Sequence, residues 1–279
     1  MTTSGTAGPV RSRAARRRAG ARPTTPGLGR RDAHLDELMD DPGCDLAALR
    51  RTYALFPLVN GLVAGWRRAY RERLRPLLSA DRDTTVLDLG SGGGDLARAL
   101  VRWSRRDGLR LSVTAVDPDG RAHDFASSRA VRGVTYRRAS SADLVAAGER
   151  FDVVVSNHVL HHLDDEARAA VLDDSARLAR RLVLHSDIRR SRGAYLGYWV
   201  LTLPLAGSSF VRVDGLRSIR RSWRADELRS VVPPRWHVLR RPPARLWLVH
   251  EPLRSPGEAA GRDGRAPVRS SRADGEGAS

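Results

Sequence analysis

The chain has 279 residues, with 49 basic against 32 acidic, a formal charge of +17 and a single cysteine, Cys44. That length suits one domain or at most two small ones, and 41% apolar residues are enough to bury a core, which excludes disorder throughout. A lone cysteine forms no internal disulfide, no apolar signal segment opens the chain, and no run reaches the roughly 18–20 apolar residues that span a bilayer. A cytoplasmic protein is therefore expected.

The charge needs dissection before it is read as affinity for polyanions. Every basic residue is Arg and there is no Lys; Ile occurs only at Ile188 and Ile219, Asn only at Asn60 and Asn157. Residue types with AT-rich codons are scarce together, which points to a GC-rich, bacterial source and makes part of the Arg count mutational bias. Eight of the positive charges fall in residues 1–31 and one net charge in 252–279, leaving +8 for residues 32–251. That is a moderately basic domain, not a dedicated nucleic-acid binder. Residues 1–31 and 252–279, rich in Arg, Gly, Pro and Ser without hydrophobic period, read as a disordered arm and tail around the domain at 32–251. The arm's acid-free composition also fits a transit peptide, which the bacterial signature disfavours.

Within the domain, a helical lead-in (32–80) comes first. Residues 45–56 and 62–78 read as two amphipathic helices separated by Pro57, the second marked by Leu62, Trp66, Tyr70, Leu74 and Leu78 at every fourth position. Strands follow at Thr85–Leu89, Leu111–Val116, Val134–Arg138, Phe151–Ser156 and Arg181–Ser186, with helices near 95–105, 120–130 and 166–180 between them. Trp236–Leu239 and Leu246–His250 look like two more strands. This alternation predicts an α/β fold: a Rossmann-like, seven-stranded, mostly parallel sheet with helices on both faces.

Chemistry begins where the first strand runs into Gly90-Ser91-Gly92-Gly93-Gly94 and then a helix. A dinucleotide fingerprint would put its third glycine at position 95, which is Asp95, and a triphosphate loop would need a Lys that the chain lacks. Asp88, just before the loop, would repel a pyrophosphate and favour a cationic ligand. Asp117 ends the second strand 27 residues beyond Gly90, where a carboxylate can accept both hydroxyls of a ribose. A glycine loop without phosphate chemistry, a ribose acid and an acid facing a cation together suggest S-adenosylmethionine as cofactor.

These segments resemble the class I S-adenosylmethionine-dependent methyltransferases. Leu87-Asp88-Leu89-Gly90-Ser91-Gly92-Gly93-Gly94 is similar to the family's first motif, and Val116-Asp117-Pro118 to its second. The stretch Phe151 to Leu163 resembles the fourth-strand segment of small-molecule members, in particular those of bacterial quinone and polyketide pathways. The resemblance implies that Asp88, Gly90, Ser91, Gly92, Gly94, Asp117, Pro118 and Asn157 hold the cofactor. The family's usual acid after the third strand is replaced here by Ser140 and Ser141, whose hydroxyls can accept from an adenine amino group; Asp143 is the alternative.

The acceptor side begins at His158. Methylation of a hydroxyl is an in-line displacement that must also relieve the oxygen of its proton, for which a histidine is suited. His162 is the first candidate for that role and His161 the second; either also serves as simple packing over the cofactor. Metal binding by His158, His161, His162 and Asp164 is weighed and set aside, because the segment lacks an H-E-x-x-H pattern. His158, Asp187 and Arg189 are candidate acceptor contacts. The apolar stretch 193–207, within an insert at 190–220, reads as a buried lid helix contributing Tyr195, Tyr198 and Trp199 to an aromatic pocket; an interfacial segment in peripheral contact with membrane is the second reading.

The expected function is methyl transfer to a lipophilic aromatic, polyketide-like or quinone-like small molecule, at oxygen before carbon. An RNA methyltransferase using the basic arm and a non-catalytic cofactor-binding protein are the alternatives. The absence of an Asn-Pro-Pro-aromatic tetrad at Asn157-His158-Val159-Leu160 counts against nucleic-acid bases as acceptors.

Overall fold

The computed structural model describes residues 27–205 and 207–252; most of the expected arm and nearly all of the expected tail lie outside the described residues. Seven strands, β1 (Thr84–Leu89), β2 (Leu111–Val116), β3 (Val134–Arg137), β4 (Phe151–Asn157), β5 (Ala179–Ile188), β6 (His237–Arg241) and β7 (Arg245–His250), form one sheet. Their order is β3-β2-β1-β4-β5-β7-β6. Strands β1 to β5 are parallel, while β7 runs antiparallel to both β5 and β6. The strand order reverses between β1 and β4, and in such a sheet the crevice beyond the carboxyl ends at that point receives ligands.

The strands are apolar on both faces because helices cover both. Val86, Val113, Val153, Val155, Leu184 and Trp247 pack on one side with Leu96 and Leu100 of α3 (Asp95–Arg106) and with Trp66, Tyr70 and Leu74 of the lead-in. Leu87, Val154, Val183 and Leu248 pack on the other with α5 (Ser141–Ala146), α6 (Asp165–Leu178) and α9 (Ala225–Val231). A short α4 (Gly120–Ser127) follows β2.

The lead-in departs from the sequence expectation. Pro57 does not separate two helices: α1 spans Leu46–Val63 with Pro57 inside it. The break comes instead at Gly65, whose φ of 68° only glycine adopts freely. After it the chain turns through α2 (Trp66–Ala69), a π turn at Tyr70–Leu74 and a 3-10 turn at Arg75–Leu77. The fourfold spacing correctly marks Trp66, Tyr70 and Leu74 as core, whereas Leu62 is 62% exposed. The packed chain also begins before residue 32. Arg31 donates to the Arg221 carbonyl (2.7 Å) and the His161 carbonyl (3.1 Å), and its guanidinium lies 4.0 Å from the Trp223 ring centroid.

The insert forms α7 (Arg192–Leu201) and α8 (Val211–Arg221). The expected buried lid helix is corrected: α7 has no buried residue, and Leu196 and Val200 are 61% and 52% exposed. Its inner contact is Tyr198, whose hydroxyl donates to the Val211 carbonyl at 2.8 Å and whose ring lies against Gly215 of α8. Among the described residues no helix is long and apolar enough to cross a membrane.

A Cβ at Gly215 would sit 2.3 Å from the Tyr198 ring, an overlap that one of the two helices must relieve. Gly215→Ala is therefore expected to cost about 1–3 kcal/mol of stability, read from urea unfolding, by pushing α7 off α8. An unchanged midpoint would mean that α7 does not dock as described.

Candidate functional site

A cavity of about 480 Å³ opens at the carboxyl ends of β1, β2 and β4, where the strand order reverses. Its floor is the glycine loop and its far wall is the β4 tip. Tyr53, Phe56 and Val59 of α1, the turn carrying Glu37 and Asp40, and α8 close over it. Thirteen of the candidate residues line this cavity: Asp88, Gly90, Ser91, Gly92, Asp117, Pro118, Ser140, Ser141, Asn157, His158, His161, His162 and Tyr198.

The glycine end is built by backbone geometry and carboxylates. Gly90, Gly92 and Gly94 have φ of 64°, 51° and 72°, so the loop folds back tightly on the strand end. A Cβ at Gly90 would lie 2.6 Å from the Val159 side chain, so a larger residue would close the cleft. The Asp117 carboxylate accepts from the backbone N–H of Gly92 (2.8 Å) and of Asp119 (2.9 Å), which fixes both oxygens at the cavity wall. Gly94 stands behind the loop, against Tyr136, and does not line the cavity.

Three acids converge here. Burial, then Asp95 and Asp117, raises Asp88 well above the ordinary carboxyl range, and its Oδ2 has no hydrogen-bond partner among the described residues. Burial also raises Asp95, which accepts from Asn60 (3.0 Å), and Asp117. Buried carboxyls raised in this way are stabilised in their ionised form by a neighbouring cation. Together with the strand-tip acid, this end fits a nucleoside that carries positive charge.

Ser140 and Ser141 reach the cavity, but the expected alternative Asp143 does not. The Asp143 carboxylate caps α5, accepting from the Ser140 N–H (2.8 Å) and hydroxyl (2.7 Å). Asn157 lines the cavity with its carbonyl oxygen turned to Arg245 (2.9 Å).

The other end is a histidine cluster assembled from distant segments. His161 is fully buried; its Nδ1 lies 2.7 Å from Asp187 and its Nε2 3.4 Å from Glu37. Burial by itself would depress His161, but the two carboxylates outweigh it and push its pKa up to about 9. At neutral pH His161 is thus a cation clamped between anions, which corrects its candidacy as a base. His162 is only partly buried. Its Nδ1 lies 3.1 Å from Asp40 and its Nε2 3.7 Å from Glu37. Asp40 also meets Arg221 at 3.4 Å.

Ligand atoms of Glu37, His161 and His162 lie within 4.8 Å of one another, a spacing that suits a divalent ion. Such an ion would have to displace the His161 proton, so its affinity would rise with pH.

Four acceptor-side expectations are corrected. Asp187 does not face the cavity: it is buried and accepts from the His161 N–H (3.0 Å) and Nδ1 and from the Ile188 N–H (2.7 Å). Arg189 is tied by its backbone N–H to the Ala244 carbonyl, away from the cavity. Tyr195 and Trp199 do not line the cavity, and Trp199, under Arg212, is 41% exposed.

Residues that sequence reading missed include Glu37, Asp40, Asp95, Asn60, Arg245 and Asp214. Asp214 accepts from the N–H groups of Leu38 (2.7 Å) and Met39 (2.9 Å), and so holds the turn that delivers Glu37 and Asp40. Only Asp95 carried a local signal, at the start of the helix after the glycines.

Residues 86–181 match the family model described as a methyltransferase domain. A ubiquinone biosynthesis O-methyltransferase of Methylobacterium sp. (strain 4-46) is 38% identical over 86 residues, 30% of this chain and 32% of that one. The counterpart of Azorhizobium caulinodans is 38% identical over 96 residues, 33% of this chain and 34% of that one. The chain thus matches about a third of the length of these curated relatives. In fold, it is similar to the plantazolicin methyltransferase BpumL (TM-score 0.51, 11% identity, 75% of this chain and 95% of that one). A methyltransferase of Aquifex aeolicus gives a TM-score of 0.50 at 13% identity, covering 75% and 99%.

The His161 clamp has a pH signature. Its folded pKa of about 9 lies above the ordinary 6.5, so its stabilisation is complete below 6.5 and is lost as pH rises to 9. In thermal unfolding from pH 6 to 10, the protein should lose stability across that window more steeply than His161→Gln does. Parallel slopes would show that His161 is not held protonated.

Proposed function

We infer that this chain, a class I S-adenosylmethionine-dependent methyltransferase by its fold and by the domain matched at residues 86–181, methylates an oxygen of an apolar aromatic small molecule. The bound cofactor supplies an electrophilic methyl on a sulfonium. The observation that carries the reading is one cavity with two chemically different ends: three crowded acids at the glycine loop and a carboxylate-oriented histidine 45 residues beyond Asp117.

In this reading Asp117 accepts from the ribose hydroxyls with lone pairs left free by Gly92 and Asp119. Ser140 and Ser141 stand on the cavity wall after β3, where the adenine edge is expected. Burial and the neighbouring Asp95 and Asp117 disfavour the ionised form of Asp88, and a positive charge entering beside it favours that form, which couples the carboxyl to a cationic ligand. Gly90 leaves the space over the loop.

His162 receives the acceptor's hydroxyl proton at Nε2. Asp40 on Nδ1 orients the ring and stabilises the imidazolium, and the neighbouring Glu37 adds negative charge on the same side. His161, already protonated, is the fixed cation that keeps Glu37 and Asp187 in place. Tyr53, Phe56, Val59 and Val63 give the cavity its apolar wall, which suits an aromatic acceptor and keeps water away from the reacting oxygen. The quinone-pathway relatives methylate at oxygen according to their names, and residues 86–181, matched by the methyltransferase family model, contain both the loop and the β4 tip.

Gly90→Ala should weaken S-adenosylhomocysteine binding at least tenfold in calorimetry, since the added methyl collides with Val159 and the backbone there is left-handed. Binding equal to that of the unaltered protein would remove the loop from the cofactor site.

For the reaction, methyl-labelled cofactor and a bacterial extract should place label in the organic-soluble fraction. His162→Phe should lower that rate by about 10²–10⁴ while leaving S-adenosylhomocysteine affinity within twofold. Label in nucleic acid instead, or an unimpaired His162→Phe, would overturn the acceptor reading.

A further inference from the structure

Among the described residues His158 is the one non-glycine residue with positive φ, at 62°. A histidine in this region is uncommon and costs on the order of 1 kcal/mol or more, which persists only where the surroundings impose it. Here they do. The His158 N–H donates to the Ser186 carbonyl (2.9 Å), and its ring is gripped from below by Arg245 of β7.

Arg245 is almost wholly buried, an expensive place for a guanidinium. Its Nη2 donates to the Asn157 Oδ1 (2.9 Å) and the Ser186 hydroxyl (3.0 Å), while its Nη1 lies 2.9 Å from the His158 Nε2. A guanidinium has only donors, so Nε2 of His158 must be the lone-pair nitrogen and Nδ1 must carry the hydrogen. The groups around the ring agree: burial and then Arg245 hold its pKa well below the ordinary value, against a smaller opposing pull from Asp187, with His161 and His162 adding to the depression. His158 is therefore neutral, in one tautomer, and unable to accept.

Its Nδ1–H makes no hydrogen bond to any described residue, although the residue lines the cavity. The His158 ring stands 6.2 Å from that of His161, edge to face, beside the histidine end of the cavity.

We propose that His158 is a specificity-determining residue whose Nδ1–H donates to a carbonyl oxygen of the acceptor molecule, with Arg245 as the positioning residue that fixes its tautomer. The inference rests on the methyl-transfer reading above and narrows its substrate class to hydroxylated aromatics that carry a carbonyl close to the methylated oxygen. A donor that cannot accept selects a carbonyl over a hydrocarbon group of the same shape, because binding the latter leaves a desolvated N–H without a partner.

Two measurements test this on the full chain. Long-range ¹H–¹⁵N spectra of histidine-labelled protein, with the His158 signals assigned by their absence in His158→Gly, should show Nδ1 protonated and Nε2 bare from pH 5.5 to 8. A protonated Nε2, or a ring that titrates in this range, overturns the donor assignment without reference to any ligand. The second compares binding of ortho-hydroxyacetophenone with that of ortho-ethylphenol to protein saturated with S-adenosylhomocysteine. The ketone should bind roughly tenfold tighter, and the preference should fall to within twofold in His158→Gly, which also relieves the left-handed backbone and so is expected to fold. Equal binding of the two probes, or binding of neither, refutes the specificity role. A loss of S-adenosylhomocysteine affinity in His158→Gly refutes it too, by giving the donor to the cofactor. Failure of the unaltered protein to bind S-adenosylhomocysteine at all would instead strike the methyl-transfer reading, leaving the tautomer result to stand alone.

Discussion

The ion pair between Asp187 and His161 is the contact on which the acceptor half of this molecule depends. Asp187 stands at the tip of β5 and accepts from both the ring and the backbone of His161, so it fixes the segment after β4 relative to the neighbouring strand. His161 in turn faces Glu37, which also accepts from Ser218 of α8. One buried chain of alternating charge thereby joins strand tip, histidine segment, lead-in turn and covering helix. Burial would raise the carboxyl of Glu37, and would raise that of Asp187 too; the histidine's charge reverses both and holds them ionised. A buried charge is tolerable only with such partners, so the segments cannot separate without exposing an uncompensated ion.

The two ends of the cavity use opposite electrostatic strategies. At the glycine loop, carboxyls crowd one another and are left short of positive charge, a deficit that a cationic ligand makes good. At the histidine end, charges are already paired, and what faces the cavity is directional: the Nε2 of His162, 3.7 Å from Glu37, and the Nδ1–H of His158. The first end favours binding by charge, the second by orientation. That division matches a reaction in which one reactant brings its own positive charge and the other is a weakly polar molecule needing alignment. Asp214 links the halves through the lead-in turn. Burial raises its carboxyl to about 6, so it accepts from Leu38 and Met39 as a carboxylate at neutral pH.

The glycine loop, the strand-tip acid and the order of strands and helices were legible because each is local. A strand's apolar run, a turn that only glycine can make and an acid one residue past the strand end are written within a few residues of one another. The lead-in was misread where a local rule met tertiary support. Pro57 breaks an isolated helix, but α1 is already packed by Leu49 and Tyr53, and the chain turns instead where Gly65 permits it. The insert was misread for a related reason. An apolar run predicts burial, yet α7 touches the body through Tyr198 and leaves most of its apolar side exposed.

The sequence by itself determined the sheet, the loop and the presence of histidines at the β4 tip, since those follow from periodicity and steric need along a short stretch. It did not determine what the histidines are. His158, His161 and His162 lie within five residues, yet one is a neutral donor, one a buried cation and one a partly exposed group oriented by a carboxylate. Their differences come from Arg245, Asp187, Glu37 and Asp40, which lie between 26 and 124 residues away along the chain. Electrostatic influence acts through space and is strongest at hydrogen-bonding distance, so only the tertiary structure, by choosing which distant charges come that close, could assign each ring its role.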